Sequence, residues 1–215
     1  NAIEFCLTDS NVRLENVEYI AINRNPKLRI INKLIYAFKN KFKIKNFFNR
    51  IKNYRKITSL ELEFSKNFLI ESRELKNKII NIDHHLAHAA SAVLASNFKN
   101  TNYVTVDGFG DFLSTTIGHY NGDKFLNIKE VQFPHSLGLF YTAITQYLGF
   151  KNYGDEYKVM GLASYGKPKF KAELKKILFM KNKYEFKLNL NHFNHQNMDF
   201  DLVWPDNKPI FRDFY

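Results

Sequence analysis

The sequence has a single cysteine, Cys6. One thiol can form no intrachain disulfide, and such sparing use suits a reducing compartment. Cys6 lies in the apolar run Ala2-Ile3-Glu4-Phe5-Cys6-Leu7, where a buried helix residue is expected rather than a nucleophile. There is no signal peptide and no apolar stretch of bilayer-crossing length, so cytoplasm is the expected compartment and no membrane partner is expected. Internal repeats and low-complexity linkers are missing as well. So are acidic residues between Arg24 and Lys56, where Lys or Arg recurs every few positions. That run reads as a solvated helical face or as a site for a polyanion.

What is present suits a folded domain. The 215 residues are 45% hydrophobic and rich in Phe and Tyr, enough to build a core. The length fits one domain, or one domain with an incomplete neighbour. The net charge of +11 is compatible with nucleic acid, anionic lipid or phosphorylated small molecules. The chain opens without Met in what reads as the middle of a helix, and no closing element follows Trp204-Pro205-Asp206. Both ends are expected to be cuts.

Patterning predicts a helix end over 2–8, a strand from Val17 to Ile22 and a break at Asn23-Arg24-Asn25-Pro26. One or two basic amphipathic helices are expected over 28–57, and another from Leu60 to Phe68. A short strand, Lys78 to Ile82, precedes a helix from His84 to Ala95 with Asp83 as its N-cap. Tyr103 to Val106 reads as a buried strand ending at Asp107-Gly108. Leu113–Tyr120 and Phe125–Phe133 read as strands joined at Asn121-Gly122. A helix from Gly138 to Leu148 closes at Gly149. A loop is expected from Asn152 to Gly166, then a basic helix from Lys169 to Phe179. Strands alternating with helices, with one hairpin included, predict an α/β fold with a mixed sheet.

Four constellations carry chemistry. His84 and His88 share one helix face, so both imidazoles can reach one ion, and Asp107 ends the next strand, where α/β folds place ligands. Two imidazoles and a carboxylate suit iron(II), zinc or manganese, with Asp83 or His85 behind them. Ordinary surface or core histidines would produce the same spacing. Asp107-Gly108-Phe109-Gly110-Asp111 could bring backbone N–H groups to a phosphate, with Asp111 holding a metal–phosphate group and Ser114 or Thr115 donating. A plain Asp-Gly hairpin turn fits equally. In Pro134-His135-Ser136-Leu137-Gly138, Ser136 is a natural N-cap and Gly138 admits a ribose or phosphate. His135 could contact a ligand or act as acid or base there, or be a buried histidine beside a cap. Glu156 and Lys158, between Gly154 and Gly161, could face a substrate or pair with each other.

The order of these segments is more telling than any one of them. Asp83-His84-His85-Leu86-Ala87-His88-Ala89-Ala90-Ser91-Ala92 is followed by Val106-Asp107-Gly108-Phe109-Gly110-Asp111-Phe112-Leu113-Ser114-Thr115. Then come Pro134-His135-Ser136-Leu137-Gly138-Leu139, Tyr147-Leu148-Gly149-Phe150, Glu156-Tyr157-Lys158-Val159-Met160-Gly161-Leu162-Ala163 and Tyr165-Gly166. The series resembles the NodU/CmcH carbamoyltransferases, most strongly over 82–166 and more loosely from Ala2 to about Phe193.

The resemblance implies an actin/hexokinase-like (ribonuclease H-like) α/β domain, a mixed sheet with flanking helices, incomplete at both ends. Residues 1–215 would be part of that N-terminal domain, with a YrdC-like domain lying outside this chain. It further implies that carbamoyl phosphate and ATP give carbamoyl-adenylate, whose carbamoyl group passes to a small-molecule hydroxyl acceptor beside iron(II) or another divalent metal. By motif, His84, His88 and Asp107 would be metal ligands. Gly108, Gly110, Asp111 and Ser114 would serve the nucleotide phosphates, and Gly138 would lie against the ribose. His135, Glu156 and Lys158 would line the acceptor or nucleotide side as catalytic groups.

The family's opening strand, its acidic, Ser-rich phosphate loop and a further aspartate ligand are not found here. A relative acting on tRNA through the basic run, or a metal-free scaffold, would be the other readings. Pro134–Gly138 and Glu156–Ala163 resemble the small-molecule branch, and the histidine pair with Asp107 argues against a decayed site. The 215-residue chain by itself is expected to bind metal weakly and to catalyse nothing. Incubation with carbamoyl phosphate, ATP and sugar acceptors checks this, and any carbamoylated product would refute it.

Overall fold

A computed structural model describes residues 2–39, 60–68, 70–152, 154–197 and 209–212. The basic helical stretch beyond Lys39, over 40–57, and Trp204-Pro205-Asp206 lie outside the described residues. The chain divides into two compact units, 1–87 and 88–215.

The first unit contains α1 (Ala2–Asp9), β1 (Ile20–Ile22), α2 (Ile30–Lys39), α3 (Leu60–Phe68), α4 (Ser72–Lys76) and β2 (Ile79–Asn81). β1 and β2 pair in parallel, with Ile20 opposite Ile79. Leu14, Ile70 and Leu75 form the buried cluster, joined by Leu7, Val17, Ile20, Phe64 and Phe68. Cys6 departs from expectation. It is exposed, and α1 buries no residue; its neighbour Leu7 is the position on that helix turned to the cluster.

Asp83 precedes α5 (His84–Val93) and caps it. Its Oδ1 accepts from the His85 N–H at 2.8 Å and the Leu86 N–H at 3.0 Å, and its Oδ2 accepts from Arg29 at 2.8 Å. Burial works to raise the pKa of Asp83. The Leu86 N–H, the Arg29 guanidinium and the His85 N–H outweigh it and hold the carboxyl below its ordinary value.

The second unit is built on an antiparallel meander of β3 (Thr101–Gly110), β4 (Leu113–Tyr120) and β5 (Phe125–Gln132). Asp111 and Phe112 join β3 to β4 with both φ angles positive, 49° and 75°, the geometry whose twist suits a two-residue hairpin. At the β4–β5 turn the Asn121 side chain accepts from the Asp123 and Lys124 N–H groups, and Gly122 takes φ 96°. One sheet face presents Tyr103 to Ala89 and Val93 of α5, beside Tyr120 and Phe125. The Tyr103 hydroxyl donates to Asn127 Oδ1 at 2.6 Å.

After β5 come α6 (Leu137–Tyr147), α7 (Glu156–Ala163), α8 (Lys171–Ile177), and the hairpin of β6 (Leu178–Met180) with β7 (Phe186–Leu188). The expected loop over 152–166 is thus partly helix. Its glycines suggested a loop, yet Gly154 (φ 85°) stands before α7, and Gly161 sits inside it among good helix formers. The basic helix gives way to β6 at Leu178. Leu139 and Ala143 of α6 pack with Leu188, Phe193, Ile210 and Phe211. Full burial of each large apolar side chain there contributes about 1.5–3 kcal/mol. The architecture is mixed α/β, with parallel and antiparallel pairing in separate sheets.

Gly118 of β4 lies directly under the Tyr103 ring, and a Cβ there would also stand 2.6 Å from the Leu126 carbonyl oxygen. Gly118→Ala is therefore expected to destabilise the chain by about 1–3 kcal/mol through overpacking, read as a lower urea midpoint.

Candidate metal centre and adjoining cleft

α5 carries His84 and His88 one turn apart, and β3 carries Asp107. The register of β3 against β4 is irregular between Val106 and Gly110, so Asp107 lies in a bulge outside the paired positions. Asp107 Oδ1 accepts from the Gly108 N–H at 2.7 Å. Its Oδ2 lies 3.6 Å from His88 Nε2. Two ligands each about 2.1 Å from a shared tetrahedral ion stand about 3.4 Å apart, so this spacing suits a common cation better than a direct hydrogen bond. His84 Nδ1 lies 3.1 Å from the Asn23 carbonyl oxygen. A carbonyl can only accept, so Nδ1 carries the proton and the lone pair of the neutral ring is on Nε2. Within the second unit His88 and Asp107 thus offer one ligand atom each, and in the first unit His84 offers its Nε2. Donor types, tautomer and spacing fit a divalent metal.

The backbone of Asp107 and Gly108 also forms one wall of a cleft of about 560 Å³, whose lining includes Gly138, Thr142, Gly154 and Glu156. α6 reaches this wall because Gly138 has no side chain. A Cβ there would lie 2.7 Å from the Gly108 nitrogen and 2.8 Å from the Asp107 carbonyl carbon. Ser136, wholly buried, fastens the same junction. Its hydroxyl lies 2.8 Å from the Gly108 carbonyl oxygen and 3.1 Å from that of Asp107, and its oxygen accepts from the Leu139 N–H at 3.0 Å. The first turn of α6, Leu137 to Leu139, therefore lines the cleft, and the positive end of a helix favours an anion there.

The structure places the remaining sequence candidates as follows. Glu156 lines the cleft and accepts from Thr142 Oγ1 at 2.5 Å. Lys158 pairs with Asp155 at 2.7 Å and lies over the rings of Phe150 and Tyr157. Their mutual hydrogen bond raises the pKa of Lys158 and lowers that of Asp155. Ser114 is fully buried, and its hydroxyl reaches the carbonyls of His135 (2.6 Å) and Val131 (3.3 Å). Gly110 pairs with Leu113, and Asp111 occupies the hairpin turn. His135 Nδ1 accepts from the Leu188 N–H at 3.1 Å, joining α6 to β7. Burial, then the nearby Lys187 and His195, push its pKa down to about 4. Gly110, Asp111, Ser114, His135 and Lys158 are not among the residues lining the cleft.

Thr142 was missed in the sequence. Its signal is a hydroxyl four residues after Gly138, on the same face of α6.

The family model for the carbamoyltransferase N-terminus matches residues 1–203. The chain belongs to the carbamoyltransferase family. An uncharacterized protein of Synechocystis is 32% identical over 201 residues, which cover 90% of this chain and 32% of that protein. The nodulation protein NolNO of Sinorhizobium fredii is 41% identical over 92 residues, 43% of this chain and 13% of its own length. The nodulation protein NolO of Bradyrhizobium diazoefficiens is 44% identical over 93 residues, 43% of this chain and 17% of its own. The chain thus spans about a third of the Synechocystis relative and less of the nodulation proteins. Among the described residues, no helix of this carbamoyltransferase-family chain is long and apolar enough to cross a membrane.

His135 makes the structure sensitive to acid. Unfolded, it takes a proton near 6.5; folded, only near 4. Its contribution to stability is complete above pH 6.5 and declines as pH falls toward 4, because the unfolded chain binds the proton first. His135→Asn keeps an acceptor for Leu188 and removes the titration. Urea titrations at a series of pH values should show a smaller loss of stability between pH 6.5 and 4 in the variant than in the parent.

Proposed function

We propose that the protein carrying this chain transfers a carbamoyl group, made from carbamoyl phosphate and ATP as carbamoyl-adenylate, to a hydroxyl of a sugar or natural-product acceptor. Membership of the carbamoyltransferase family supports carbamoyl transfer. The observation that carries the rest is the position of Asp107. One residue stands both beside His88 and in the wall of a cleft large enough for a nucleotide-sized ligand. Under this reading the units belong to an actin/hexokinase-like domain, and a YrdC-like domain of the same protein supplies the adenylate.

His84, His88 and Asp107 would hold iron(II) or another divalent cation. Such an ion supplies Lewis acidity toward a phosphoryl or carbamoyl oxygen. The chain's own groups account for the binding. The open N-terminus of α6 takes phosphate oxygens, and the bare Gly138 lets the ligand approach the backbone. Donors fixed before the ligand arrives need no rearrangement as negative charge develops on the departing nucleotide. Glu156, at the cleft wall, accepts from ligand hydroxyls.

Metal content tests the reading. The full-length protein, reconstituted anaerobically with iron(II), should hold about one ion, and His84→Ala/His88→Ala none. The parent should then turn over carbamoyl phosphate and ATP in the presence of candidate sugars, while the variant loses at least about a hundredfold in rate, as expected when a metal's ligands are removed. An equal metal content in both proteins would overturn the ligand assignment.

A further inference from the structure

We propose that Thr142 is a positioning residue. It fixes the Glu156 carboxylate at the cleft wall, so that one carboxylate oxygen is committed to the protein and the other receives hydroxyl donors of the ligand. The inference rests on the reading of the cleft as a nucleotide site.

Two threonines on α6 behave differently. Thr145 donates to the Tyr141 carbonyl at 2.9 Å, the ordinary outlet for a hydroxyl inside a helix. Thr142, also buried, donates instead to Glu156 Oε1 on α7 at 2.5 Å. A hydroxyl bonded to a carboxylate is a short, charge-assisted contact, stronger than the intrahelical alternative. It also acts on a side chain with three rotatable bonds, whose freezing would otherwise have to be met by the ligand.

Among the described residues no cation is paired with Glu156. The nearest lysine in sequence, Lys158, is taken by Asp155 at 2.7 Å. Among the described residues Thr142 is the side chain that donates to Glu156, which leaves Oε2 available to the cleft. The cleft is consequently polarised. The first turn of α6 favours the anionic end of a ligand, and Glu156 repels anions and favours hydroxyl donors. The ligand class that satisfies both carries phosphate at one end and neighbouring hydroxyls at the other.

The test compares ATP with 2′,3′-dideoxy-ATP by calorimetry on the full-length protein, as parent, Thr142→Val and Thr142→Ser. Valine keeps the shape and removes the donor. The parent should prefer ATP by about tenfold or more, the worth of one hydrogen bond to a charged group. Thr142→Val should shrink that preference to near unity while its thermal midpoint stays close to the parent's, and Thr142→Ser should restore it. A preference that is the same in parent and Thr142→Val overturns the proposal, as does a loss that serine fails to restore. If the parent binds neither nucleotide, the nucleotide reading itself has failed. Crystal structures of parent and Thr142→Val then decide the positioning role: a displaced Glu156 carboxylate supports it and an unmoved one refutes it.

Discussion

The contact on which the site depends is the junction of α6 with the end of β3. The Ser136 hydroxyl and the bare Cα of Gly138 lie against the backbone of Asp107 and Gly108. Neither partner could be replaced cheaply. A side chain at 138 would need the space of the Gly108 amide, and loss of the Ser136 hydroxyl would leave part-buried carbonyls short of a donor. From this one contact follow the approach of α6 to the cleft wall and the place of Thr142 one turn further along.

That junction is held from both sides. Beyond it, Leu139 and Ala143 anchor α6 in the apolar cluster with Leu188, Phe193 and Phe211, and His135 accepts from the β7 backbone. Before it, the meander buries the hydroxyl-bearing side chains of Thr105, Ser114 and Thr116. Thr105 and Thr116 bond to each other at 2.6 Å, and Ser114 reaches across to the His135 carbonyl. Burying such groups is costly unless they are paired, and here the pairs tie β4 to both its strand neighbour and the segment leading into α6. Ser114 and His135 therefore read as parts of the frame that aims the cleft.

Much of this was legible in the sequence because it is local. The periodicities of His84–Val93 and Leu137–Tyr147 gave the helices, Asn121-Gly122 gave the β4–β5 turn, and Asp83 announced its own cap. The spacing of His84 and His88 followed from the pitch of the helix that carries them. Reading failed where glycine was taken as a loop signal. Gly154 ends a loop while Gly161 sits within α7, and nothing in their identity separates the two roles. Cys6 failed for the opposite reason. An apolar run predicts burial only if something packs on it, and α1 turns Leu7 rather than Cys6 to its cluster.

The sequence by itself determined which residue types could meet: two imidazoles one turn apart, a carboxylate at a strand end, a helix opened by Ser136 and Gly138. These are consequences of backbone periodicity and turn chemistry, which act over a few residues. Only the tertiary structure decided which of the polar side chains are spent on the protein and which face the cleft. Ser114, His135 and Lys158 find partners on other elements or in the neighbouring turn and stand outside the cleft lining, whereas Asp107 and Glu156, though bonded to Gly108 and Thr142, lie in it. A side chain's hydrogen-bonding capacity is fixed by its chemistry, but its partner is fixed by whatever the packing of distant segments brings within 3 Å, and no local pattern encodes that distance.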